Sequence, residues 1–181
     1  RSVDTAMEKL ILKWELWGIV FIVFVGSALH FVFEIFGGWP PLAIIAAVNE
    51  SVWEHLKLGF WPAVIFALIE SRFIKKVSNN FMFAKAIGIL LIPVTIAVLF
   101  YGYTAFTDHI LAVDITIFVV AAVLGQMTSY KILTAPALPS YTRTLGIVLM
   151  IIMLIAFATF TYYPPELPLF QDSLTGGYGI H

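Results

Sequence analysis

Five stretches of the chain stay apolar long enough to cross a bilayer: residues 16–36, 49–69, 81–101, 109–130 and 141–163. At about 1.5 Å per residue, each helix would cover the roughly 30 Å of a hydrocarbon core. The apolar residues form unbroken runs, as at 110–122 and 145–160, rather than the alternation of a transmembrane β-strand. The pattern predicts an all-α polytopic membrane bundle of five transmembrane helices over residues 1–163. The second span departs from the pattern, because its uncharged part, residues 58–69, is too short to cross alone. It spans only if Glu50, Glu54, His55 and Lys57 are sheltered by neighbouring helices. Between the first two spans Gly37-Gly38-Trp39-Pro40-Pro41 breaks the chain, and residues 42–48 are expected as a short re-entrant or interfacial helix.

Composition agrees with this class. Of 181 residues, 61% are hydrophobic and 12% charged, against about 45–50% and 25% in a soluble domain, which excludes a water-soluble globule. A net charge of -1 gives no footprint for nucleic acid. Without cysteine there is no disulfide, thiol nucleophile or thiolate metal site. The chain opens on Arg rather than Met, so it is expected to begin inside the gene product, and its first apolar run, containing His30 and Glu34, reads as a retained span rather than a signal peptide.

Charge position sets an expected orientation. Nine of the ten basic residues, all but Lys57, fall in the N-terminal segment or beside the loops joining spans two to three and four to five. The positive-inside rule then places the N-terminus in the cytoplasm and the tail outside, in a multi-pass protein of the plasma membrane. The acidic residues and histidines tend the other way, toward the expected outer side. Measured along the helices, His30, Lys57 and Asp114 lie about 9–10 Å below the outer boundary, and Glu54 and His55 roughly 6–8 Å.

A polar pocket in the outer half follows from that shared depth. His30 and Glu34 are i,i+4 on span one; Glu50, Glu54 and Lys57 follow i, i+4, i+7 on span two, with Ser51 and His55 beside them. Span four adds Asp108, His109 and Asp114, Asp114 being the deeper carboxylate. Imidazoles with carboxylates suit a divalent transition metal such as zinc, which can activate water. The candidate ligands are His30, Glu34, His55 and His109, with Glu54 as the catalytic general base and Lys57 dispensable. The chemistry to expect is metal-dependent hydrolysis or transfer on a lipid or lipid-linked substrate. The alternative is a non-enzymatic subunit of a membrane complex, or a small transporter or proton relay, in which Glu54 and Lys57 pair at i,i+3. Membrane lipids are the expected partners, together with a second copy of the chain or a larger membrane complex.

Local motifs add bland readings. Asn49-Glu50-Ser51 matches a glycosylation sequon but reads better with Asn49 as a helix N-cap, and Ser51-Val52-Trp53-Glu54 fits a capping box. Trp39, Trp53, Trp61, Tyr101, Tyr103, Tyr162 and Tyr163 suit an interfacial aromatic belt. Nucleotide-binding and serine-hydrolase motifs are missing. The tail, residues 164–181, mixes prolines, apolar anchors and a glycine turn, and is expected as an extracytoplasmic lid, a docking segment or a strand in the headgroup region.

The segment Asn-Glu-Ser-Val-Trp-Glu-His-Leu-Lys-Leu-Gly-Phe-Trp-Pro from Asn49, with the tail Pro-Pro-Glu-Leu-Pro-Leu-Phe-Gln-Asp-Ser-Leu-Thr-Gly-Gly-Tyr-Gly-Ile, resembles a family of small prokaryotic multi-pass membrane proteins of unknown function. The resemblance implies a five-span bundle in which those two segments form one functional unit. It implies no activity or ligand set.

Overall fold

The computed structural model describes residues 3–180. Its helices are α1 Thr5–Ile35, α2 Val52–Ile74, α3 Phe81–Thr104, α4 Leu111–Thr134 and α5 Tyr141–Tyr162, with short 3-10 turns at Pro40–Ile44 and Pro168–Phe170. All five are long and apolar enough to cross a bilayer, and the chain is a multi-pass membrane protein. No strand occurs among the described residues; Gln171 and Tyr178 form an isolated antiparallel bridge.

α1 begins well before its apolar run. Asp4 caps it, its carboxylate accepting the N–H groups of Ala6 and Met7 at 2.9 Å. A buried stripe of Ile11, Glu15, Gly18, Ile22, Gly26, Leu29 and Phe33 then runs the length of the helix at spacings of three and four. Hydropathy alone stops at the charged first turns, whereas the stripe continues through them.

α2 starts at Val52 because Ser51 caps it, accepting the Glu54 N–H at 3.3 Å. Asn49 lies outside the helix; its side-chain oxygen accepts the Ser51 N–H at 2.9 Å, so it orders the approach instead of capping. The helical turn expected over residues 42–48 comes earlier, as the 3-10 turn that the two prolines start. The most buried of the spans is α2, which shelters its charged residues.

α3 is the central helix, packing on α2, α4 and α5, while α1 packs on α2 and α4. The α3–α4 contact is close because Gly88 and Gly125 face each other: a Cβ on either would stand 2.7 or 2.6 Å from the other's carbonyl oxygen. α5 meets α2 through rings, Phe157 stacking between Trp53 and Phe60 at centroid distances of 4.4 and 4.2 Å. Trp53 is thus part of the core rather than the aromatic belt.

The tail folds back on the end of the bundle where α1 stops and α2 starts. Phe170 is buried against Trp53 and Phe160, and Ile180 packs on the cluster of Phe33, Ala43 and Ala46. Asn49 donates to the Gly179 carbonyl at 2.9 Å. The reversal uses Gly176 and Gly179 at φ of 75° and 77°, where a side chain would be strained.

Candidate metal centre

Three side chains converge at this end. His30 lies one turn before the end of α1, His55 in the first turn of α2, and Glu50 in the approach to α2. The His30 and His55 Nε2 atoms are 3.3 Å apart. Glu50 straddles them, Oε1 at 3.6 Å from His30 and Oε2 at 3.4 Å from His55. Two ligands bound about 2.0–2.1 Å from zinc at a tetrahedral angle stand about 3.3–3.4 Å apart, which is the separation of the two histidine nitrogens, and one Glu50 oxygen lies within 4.8 Å of both.

The helix start orients His55. Its Nδ1 donates to the Ser51 carbonyl at 2.8 Å, so the proton of the neutral ring is on Nδ1 and the Nε2 lone pair points at Glu50 and His30. Metal-ligating histidines are commonly held in this way. Ser51 therefore caps α2 with its hydroxyl and orients the His55 ring with its carbonyl.

The tail holds Glu50. Asp172 accepts the Glu50 N–H at 3.1 Å, and the Ser173 hydroxyl donates to the Glu50 carbonyl at 3.1 Å. With its ring also protonated on Nε2, His55 donates to the Glu50 carboxyl and holds it below its ordinary range. Burial opposes ionisation of Asp172, but the Thr175 hydroxyl and the amides of Leu174, Glu50 and Thr175 outweigh it and hold that carboxyl low. The side chains of His30 and Glu50 are 30% and 38% exposed, which leaves room beside them for a further ligand.

Glu54 has other partners. Lys57 Nζ pairs with its Oε2 at 2.5 Å and the Val48 N–H donates to the same oxygen at 3.0 Å. Lys57 also donates to the Ala43 carbonyl at 2.6 Å and the Thr161 hydroxyl at 2.8 Å. The network ties α2 to α5 and to the 3-10 turn, and Glu54 is not among the three converging donors. Lys57, expected to be dispensable, is fully buried and is the hub of these contacts.

The span-four residues form a separate unit. His109 Nε2 is 2.6 Å from Asp114 Oδ2, and the Tyr103 hydroxyl donates to Asp114 Oδ1 at 2.5 Å. Glu34 and Asp108 are exposed and make no ion pair among the described residues.

Over residues 4–180 the chain matches the sequence model of a family of unknown function (DUF6512). It belongs to that family. No curated protein and no solved structure matches it detectably, so the site has to be argued from its own geometry. The sequence reading placed Glu50 in the pocket without making it a ligand. It also passed over Glu15 and Glu70, although Glu15 sits on the buried stripe of α1 four residues from Ile11 and three from Gly18.

Proposed function

We propose that the protein is a membrane metal protein binding a divalent transition metal such as zinc through His30, Glu50 and His55. The observation that carries the reading is the convergence of the three side chains from separate elements, with one ligand atom of each within 4.8 Å of the others. Three protein ligands with an accessible side are the arrangement of catalytic rather than structural zinc sites. Such a metal supplies Lewis acidity and activates coordinated water. The activity that fits a half-exposed site near the end of a membrane bundle is hydrolysis or group transfer on a lipid or lipid-linked substrate entering from the bilayer. In this reading Glu54 is not the proton acceptor, because Lys57 and the Val48 N–H already engage its carboxylate. The site faces outward across the plasma membrane, by the distribution of lysine and arginine.

The second reading is a non-enzymatic subunit of a membrane complex or a small transporter. It is favoured by the Glu54–Lys57–Thr161 network, in which buried charge holds helices together.

Elemental analysis of the purified full chain separates the two. One transition metal per chain is expected, falling to background in His55→Ala while thermal unfolding in detergent stays close to the parent. A chain that remains metal-free after incubation with zinc, manganese and iron(II) overturns the metal reading.

A further inference from the structure

A second polar cluster lies at the opposite end of the bundle. Glu15 of α1, Glu70 of α2 and Lys85 of α3 meet there, the carboxylates fully buried and the lysine 2% exposed. Lys85 Nζ donates to Glu15 Oε1 at 2.5 Å and pairs with Glu70 Oε1. Glu70 is four residues from the end of α2 and Lys85 four from the start of α3, so the cluster is about 6 Å inside that end. Toward that end, Ile11, Ile74 and Leu133 lie one turn beyond Glu15, Glu70 and Ser129 and form an apolar layer with Ala84. On the far side the main core resumes with Ile22 and Ile89.

The charges do not balance. Two carboxylates face one ammonium, whereas Glu54 and Lys57 balance one to one. α4 contributes only the neutral Ser129 and Gln126, through a bond from Ser129 to Glu15 Oε1 at 3.1 Å and one from Gln126 to the Glu15 backbone carbonyl at 3.4 Å. Among the described residues the other basic side chains of this end, such as Lys13, Arg72 and Lys75, are exposed. Independently, Glu15 Oε2 and Glu70 Oε2 are buried with no hydrogen-bond partner. A surplus negative charge between apolar layers is costly, and binding a proton removes it.

We propose that Glu15, Lys85 and Glu70 form a one-proton binding site, with the proton carried by Glu70. Glu15 accepts from both Lys85 and Ser129, which favours its ionised form, while Glu70 has Lys85 alone. Because the three residues come from three helices, proton uptake and release change the force holding α1, α2 and α3 together. The site is therefore suited to coupling a proton to helix movement, and it is independent of the metal centre.

Infrared spectroscopy of the full chain in lipid nanodiscs at neutral pH tests this. A protonated-carboxyl C=O band that shifts in deuterium oxide is expected. Glu70→Gln, which mimics the protonated acid, should abolish it and leave the fold intact. Glu15→Gln should also abolish it, since Glu70 then ionises against Lys85. Lys85→Met should roughly double it, as both carboxyls then take a proton. Absence of the band in the parent, or its persistence in both glutamine variants, overturns the proposal. So does its loss when sodium replaces choline at constant ionic strength, which would assign the site to a metal cation instead.

Discussion

Asp172 accepts the backbone N–H of Glu50 at 3.1 Å across 122 residues of sequence, so the last segment of the chain positions a residue that faces both site histidines. Asp172→Ala should therefore weaken metal binding by roughly tenfold to a hundredfold, as losses of outer partners do at other metal centres. Competition against a chromogenic chelator measures it. An unchanged affinity would mean that Glu50 is held without the tail.

The same contact carries a pH dependence. The folded Glu50 and Asp172 carboxyls both lie below their ordinary values, so the stability they add is fully present above about pH 4–4.5 and is lost as pH falls through the lower folded values. Cleavage of the tail by pepsin should be slow at pH 4.5 and accelerate steeply toward pH 2.5, both about the usual carboxylate range. Asp172→Asn should remove most of that steepness.

Lys57→Met is expected to lower stability by about 3–5 kcal/mol, because it strands the buried Glu54 carboxylate. Adding Glu54→Leu in the same chain should recover most of the loss. Thermal unfolding in detergent reads both, and a tolerated single substitution would show that Glu54 takes up a proton without penalty.

Gly88→Ala should cost about 1–3 kcal/mol, since its Cβ would meet the Gly125 backbone and push α3 from α4. Gly102→Ala in the same helix has nothing within 4 Å, and should stay within about 1 kcal/mol of the parent, on the stabilising side. Equal effects at the two positions would mean that α3 and α4 do not approach this closely.

Reporters fused after residue 181 should be extracytoplasmic, and those inserted at Ser78 or Pro136 cytoplasmic, from the lysine and arginine distribution. Protease accessibility of intact cells checks the arrangement. The opposite orientation would turn the metal centre toward the cytoplasm while leaving its geometry unchanged.

Four of the spans were legible because each is an apolar run with a polar break at both ends, a signal that needs no tertiary information; the second, with Glu54, His55 and Lys57 inside it, depended on shelter by its neighbours. The start of α1 was not, since its first turns are charged and only the buried stripe through Ile11 and Glu15 reveals them. The meeting of His30 with the early residues of α2 could be anticipated from shared depth, because a helix advances regularly along its axis. The place of Glu50 between the two histidines could not: it lies outside the helix, and its backbone is held by Asp172 and Ser173 at the far end of the chain. Lys57 was misjudged for the same reason, its partner Thr161 lying 104 residues away on α5. Counting Lys85 among loop charges missed that it points into the bundle, where its partners belong to α1 and α2.

With 31 residues, α1 is roughly 46 Å long, against roughly 30 Å of hydrocarbon in an average membrane. It must lean or protrude, and a thicker or thinner bilayer changes by how much. His30 and Glu15 ride on this one rod, roughly 22 Å apart along its axis. The two polar clusters are therefore joined by one rigid element, and a change in the tilt of α1 would displace both ends together.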